Sequence, residues 1–230
     1  MKKRMYKLTD QNMQTHRGFQ WKLGEVKTTS GKGDLCGPGW LHCYTDPLLA
    51  VLLNPIHADI QNPRLFLAEV SGKSKHDHGL KSGYTRMTLI KEIPVPDITT
   101  ENRVKFGIFC ALEGYRDPGF IRWAEGWISG ADRSENEADA ASGAARAAAG
   151  AAWAADAAGE AARAATRAAW AADAAAWAAT WAAWAAADAA AEAATWAAGA
   201  AADAAAGAVE IDLVDIAHKS CDDIKGVKKQ

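Results

Sequence analysis

The chain has 230 residues, with 26 Lys and Arg against 28 Asp and Glu, room for one large or two small domains. The near-neutral total hides a split: residues 1–130 hold 18 Lys/Arg and 13 Asp/Glu, residues 131–230 hold 8 and 15. Neither half is charged enough to suggest nucleic acid, since no basic run extends beyond Lys2-Lys3-Arg4 and no zinc-finger or RNA-binding signature occurs.

No apolar stretch follows the basic N-terminus, so no signal peptide is read. Gly18 to Thr29 predicts a strand with a bend at Gly24. The run SGKGDLCGPG is a loop punctuated by glycines and Pro38. Trp40 to Tyr44 is a short apolar strand. Thr45-Asp46-Pro47 then starts a helix over Leu48 to Leu53, with a capping side chain and a proline where its missing N–H is harmless. Arg64 to Ser71 and Tyr84 to Val95 predict strands rich in β-formers, and Lys75-His76-Asp77-His78 between them a solvated polar loop. Thr99 or Thr100 caps a helix over about 101–115, with Val104, Ile108, Ala111, Leu112 and Tyr115 at helical spacing. Asp117-Pro118 starts another, with Phe120, Trp123, Ala124, Trp127 and Ile128 on one face. Strands first and helices later give an α+β domain over 1–130. The four cysteines, Cys36, Cys43, Cys110 and Cys221, form no disulfide framework and fit a reduced, cytoplasmic protein.

From Ala140 to Ala208, 45 of 69 residues are alanine and none is proline. Alanine loses no side-chain entropy in a helix, so the fold class is an α+β domain followed by a long Ala-rich helical region, coiled coil or bundle, over 131–208. Asp132, Glu135, Glu137 and Asp139 precede it, where negative charge complements a helix N-terminus. A seven-residue ladder runs Arg146, Trp153, Glu160, Arg167, Ala174, Trp181, Asp188, Thr195. A second runs Asp156, Arg163, Trp170, Trp177, Trp184. The a/d spacing of a coiled coil is thus present but inverted, with large and charged residues on the ladders and alanine around them. One unbroken helix would span on the order of 100 Å, and no cluster of turn residues appears between 160 and 198. The expectation is one long helix, with breaks near Gly143–Gly159 or Gly199–Gly207, bundled with copies of itself. Its Ala/Gly face would admit a close neighbour, and Trp153, Trp170, Trp177, Trp181, Trp184 and Trp196 would seal the remaining seams of a homo-oligomer, because six exposed indoles would be a liability. A membrane span is not expected: each charged side chain at the bilayer centre costs about 2.5–3.5 kcal/mol. Residues 209–230 return to mixed composition as a short capping segment, a strand then a helix.

Candidate chemistry concentrates at Cys36 and Gly39-Trp40-Leu41-His42-Cys43-Tyr44. Adjacent His42 and Cys43 point to opposite sides of a strand, so they ligate one zinc poorly, and no Cys-x-x-Cys pair occurs. No metal or cofactor is expected. A Cys/His nucleophilic pair competes with the reading of Cys43 as a small core residue. The glycine-rich loop lacks the Gly-Lys-Ser/Thr ending of a phosphate loop.

Arg17-Gly18-Phe19-Gln20, Gly24, Cys36, Gly39 to Cys43, Pro47 and Glu69-Val70 resemble the N-terminal domain of a family of uncharacterised, mostly phage-encoded proteins, over roughly residues 5–128. The Ala/Trp repeat resembles the helical repeats of some bacterial immunity proteins. The resemblance implies a non-enzymatic oligomeric phage accessory protein in the host cytoplasm, binding or sequestering a host defence partner or a small nucleotide-like signalling ligand, with Arg17, Trp40, His42 and Tyr44 as ligand-binding residues. The element GWLHCYTDPLLA also resembles the dinucleotide-holding strand and helix of ADP-ribosyltransferases. That alternative implies Arg17, His42, Tyr44 and Glu69 as catalytic residues, although Tyr44 stands where a small hydroxyl is usual. A third reading makes the protein a structural virion or toxin-neutralising component, with the helices as its interaction surface.

Overall fold

The computed structural model describes residues 2–154, 160–183, 187–205 and 211–222. Two compact units divide between Asp97 and Ile98. An antiparallel β-sheet domain with short helices is followed by a helical region of about six packed helices.

In the first unit, β1 (Lys3–Thr9), β6 (Arg64–Asp77) and β7 (Lys81–Ile93) form the sheet's centre, with β4 (Val26–Thr28) and β5 (Leu41–Cys43) side by side along the free edge of β7. A separate pair, β2 (Gln14–Thr15) and β3 (Phe19–Gln20), flanks a 3-10 turn over His16–Gly18. Strand β1 was not foreseen: KRMYKLT shows one basic residue after another. Yet Met5, Tyr6, Leu8 and Thr9 are all buried, because both faces of this strand are covered. The β6–β7 pair is longer than expected. Lys75, His76 and Asp77 continue the ladder rather than form a loop, and only His78, with φ +39, turns the chain with Gly79. Register slips at Leu67/Ala68 and Ser71/Ser74 bend the pair, as bulges do.

The expected helix start holds. Asp46 caps α1 (Pro47–Leu52), its carboxylate accepting from the Leu48 N–H at 2.8 Å with Pro47 at the first position; α2 (Asn54–His57) follows. The main core gathers Met5, Trp21, Leu41, Cys43, Phe66, Ala68, Val70, Tyr84, Met87 and Leu89 on one face of the sheet.

The second unit opens with α3 (Thr100–Gly114), held by a reciprocal cap between Thr99 and Asn102, and α4 (Pro118–Ser129), capped by Asp117. These two helices have ordinary composition but pack with the alanine-rich ones. The alanine-rich region is not one long helix. It forms α5 (Glu135–Ala154), α6 (Glu160–Ala183) and α7 (Ala187–Ala205), with α6 against both α5 and α7, and α3 against α6 and α7. Helices α5 and α6 run antiparallel: Asp139 meets Thr180, while Ser142 and Arg146, further along α5, meet Asp173. The smooth face does admit close neighbours, but they come from the same chain. On α6, Ala168, Ala169, Ala171, Ala172, Ala175, Ala176, Ala178 and Ala179 are all buried. Finally α8 (Leu213–Ser220) docks on α3, where the buried Asn102 side chain donates to the Ser220 carbonyl at 2.9 Å. Residues 206–210 and 223–230, with the start of the expected strand at Val209, lie outside the described residues. Among the described residues no helix is long and apolar enough to cross a membrane.

Candidate functional site

Two features stand out, one in each unit. The first is built around β5. Leu41, His42 and Cys43 pair with Tyr84, Gly83 and Ser82 of β7. One residue on, Tyr44 exchanges two backbone hydrogen bonds with Tyr6 of β1, at 2.8 and 2.9 Å. With β1 on β6 and β6 on β7, these bonds complete a circuit β1–β6–β7–β5–β1, so the sheet is closed there like a small barrel.

Alternation along β5 sorts its side chains. Leu41 and Cys43 enter the core; His42 takes the other face and is fixed by a hydrogen bond between its Nε2 and the Leu35 carbonyl. The glycine-rich loop lies over this face. Gly83 makes room for it, since a Cβ there would come within 2.5 Å of Leu35 Cδ1 and 2.9 Å of Trp40 Cβ. Gly31 N–H donates to the Gly39 carbonyl at 2.9 Å, and both the Trp40 indole N–H (3.2 Å) and the Lys75 ammonium (3.0 Å) donate to the Gly33 carbonyl. Trp40, expected to meet a ligand, is buried and anchors this loop. Tyr44 is buried against His57 of α2, their rings stacked at 6.1 Å.

Burial dominates the titration of this cluster. It pushes the Cys43 thiol up to about 12, only partly opposed by Lys7, and raises the Tyr44 phenol. It lowers His42, assisted by the positive charges of Lys7 and Lys81, and takes His57 down to about 4. These histidines are neutral at pH 7, the thiol is protonated, and Cys43 and His42 face opposite ways. The pair on paper is therefore not a nucleophile and its base. Among the described residues no group of three or more His, Cys, Asp or Glu side chains could hold a metal ion.

The other expected site residues are dispersed. Arg17 is exposed on the 3-10 turn with φ +60. Glu69, on β6, pairs with the Lys2 ammonium at 2.7 Å. A residue the sequence did not flag is Lys7. On β1 it shares the inward face with Met5, its ammonium lies 5.5 Å from the Trp21 ring centroid, and burial lowers its pKa to about 8. Strand alternation through Met5 and Thr9 would have pointed inward, had β1 been recognised.

The second feature is the outer face of the helical unit. Trp170, Trp177 and Trp196 are 48%, 40% and 62% exposed. Trp170 and Trp177 stand two turns apart on α6, and the half-buried Trp181 lies 5.8 Å from Trp177, ring centre to ring centre. The Arg146 guanidinium from α5 covers part of Trp177 at 5.5 Å. Within the chain, then, these indoles do not seal the seams between helices; alanine does, and the large side chains are left outside. Trp184, and the side chain of Trp153, lie outside the described residues.

Residues 3–101 are similar to a domain of unknown function (DUF7666), and the match ends close to the boundary between the two units. No curated protein and no solved structure matches the chain.

Proposed function

We propose that this is a non-enzymatic binding protein that associates with itself through the tryptophan stripe of α6 and α7. The observation that carries the reading is the exposure of Trp170, Trp177 and Trp196 over helices whose alanines are already buried. Alanine methyls bury little area each, so the helical unit gains its strength from close packing, while the costly apolar surface of the indoles stays in water. Half-exposed indoles and the methyls between them offer roughly a few hundred Å² per copy, within reach of a weak dimer. The accessory role in a phage-infected cell, acting on a host defence partner or small signalling ligand, rests on the resemblance of Arg17 to Gln20 and Cys36 to Pro47 to phage-encoded domains.

The native mass of the full chain tests the association. Wild type is expected as a dimer or larger at micromolar concentration. The triple variant Trp170→Gln, Trp177→Gln, Trp196→Gln is expected as a monomer with unchanged helicity. A monomeric wild type, or a variant that keeps its mass, overturns the proposal.

A further inference from the structure

Strand β1 carries Lys3, Met5, Lys7 and Thr9 on one face, and its pairing with β6 sets Lys7 opposite Phe66. Met5 and Phe66 belong to the main core, so the Lys7 side chain leaves the inner wall of the closed sheet. Lys7 is half-buried there, and its ammonium lies over the Trp21 ring, 5.5 Å from the centroid. That ring is held in place: the Trp21 backbone N–H donates to the Met13 carbonyl at 2.8 Å and its indole N–H to the Thr15 hydroxyl at 3.0 Å.

Lys7 is set apart by the lack of a counter-charge. Lys2, Lys27, Lys81 and Lys105 each pair with a carboxylate, and Lys75 donates to the Gly33 carbonyl. Lys7 has no hydrogen-bond acceptor and no ion pair among the described residues. Glu92 stands in the same row of the sheet, beyond Phe66, but is engaged by Arg64 at 2.9 and 2.5 Å. Asp10, just past the end of β1, accepts from the N–H groups of Asn12 and Gln14. From β5 and β7 the same interior receives the Cys43 thiol and the Tyr84 phenol, both held neutral by burial. An ammonium in this setting gives up hydration and gains no acceptor, so the neutral amine is favoured, in keeping with a pKa lowered to about 8. The nitrogen is nonetheless not sealed from solvent.

We propose that Lys7 is a nucleophilic amine that captures a small apolar aldehyde as an imine. The nitrogen lone pair attacks the carbonyl carbon and gives a carbinolamine. The former carbonyl oxygen then leaves as water while the carbon–nitrogen double bond forms, with no oxidant or reductant consumed. The apolar body lies against Trp21, and the scarcity of water on the inner wall slows hydrolysis back to the aldehyde. The site belongs to the sheet domain and does not depend on self-association of the helices.

Butanal with cyanoborohydride tests it on the full chain, because reduction fixes each imine as a secondary amine and peptide mass mapping reads the rate at each lysine. At pH 7 Lys7 is expected to be trapped about tenfold faster than the exposed Lys73 and Lys91. Unfolding the chain in urea is expected to erase that preference. Nα-acetyl-lysine amide in the same solution supplies an ordinary amine. The rate at Lys7 relative to it is expected to fall more than tenfold between pH 8 and pH 10, as the free lysine loses a proton that Lys7 has already lost. Trapping at Lys7 no faster than at Lys73 and Lys91, a preference that survives urea, or a relative rate constant with pH each overturns the proposal.

Discussion

Gly107 of α3 and Ala194 of α7 meet so closely that a Cβ added to the glycine would lie 3.1 Å from the Ala194 Cα and 3.3 Å from its Cβ. Here two helices touch backbone to backbone, as only glycine and alanine permit. Gly143 of α5 is its opposite: a Cβ there would have nothing within 4 Å.

The contrast sets a matched test. Gly143→Ala should stabilise by about 1 kcal/mol, the gain of helix propensity alone. Gly107→Ala should show little or none of that gain, because α7 must shift to admit the methyl. Gly107→Val should cost about 1–3 kcal/mol. Urea midpoints at unchanged slope report all three.

A polar cluster crosses the α5–α6 seam beside the Asp139–Thr180 contact. The buried Ser142 hydroxyl donates to Asp173 at 2.6 Å and accepts from the Arg146 guanidinium at 2.9 Å. Ser142→Ala should cost about 1–2 kcal/mol. Arg146→Ala, whose charge is largely solvated, should cost under about 1 kcal/mol. A double-mutant cycle of Ser142→Ala with Asp173→Ala should return most of the serine's effect as coupling.

Lys7 should make the protein gain stability as the pH rises from about 8 to 10.5. Its folded pKa of about 8 lies below the ordinary 10.5 because burial opposes the charge. Between these values the folded state holds fewer protons, so stability rises with pH across that window, and the cost of the buried charge is full below it. Lys7→Met should remove this rise and gain roughly 1–3 kcal/mol at pH 7. Urea unfolding of both proteins from pH 7 to pH 10.5 isolates the residue from the tyrosines.

Acid should act in two steps. His57 is held near 4 by burial and the nearby Lys81, below its ordinary 6.5, so its contribution is lost as pH falls from 6.5 to 4. His57→Phe, which keeps a ring on Tyr44, should flatten that range. Glu101 is held near 2, below 4.5, by hydrogen bonds from Arg133 and then Lys105. Its contribution is present above 4.5 and lost as pH falls toward 2. Arg133→Ala should shrink that second loss by under about 1 kcal/mol, because the pair is partly solvated. Thermal unfolding at half-unit pH steps resolves the two ranges.

Local chemistry was legible in the linear chain wherever one residue sufficed to decide it. Asp46-Pro47, Thr99 and Asp117-Pro118 start helices where their side chains can cap, and the alanine run is helical because nothing in it competes with the backbone. Alternation correctly put His42 and Cys43 on opposite faces. What only the tertiary structure decided was which surfaces meet. An alanine face fits a copy of itself and another part of the same chain equally well, so the ladder of indoles could not say that α5, α6 and α7 would pack side by side and leave Trp170, Trp177 and Trp196 outside. In the same way, Lys7 and Trp40 owe their surroundings to strands and loops distant in sequence. Composition fixes secondary structure through local entropy, but burial is a property of neighbours, and neighbours are chosen by long-range packing that no window of residues contains.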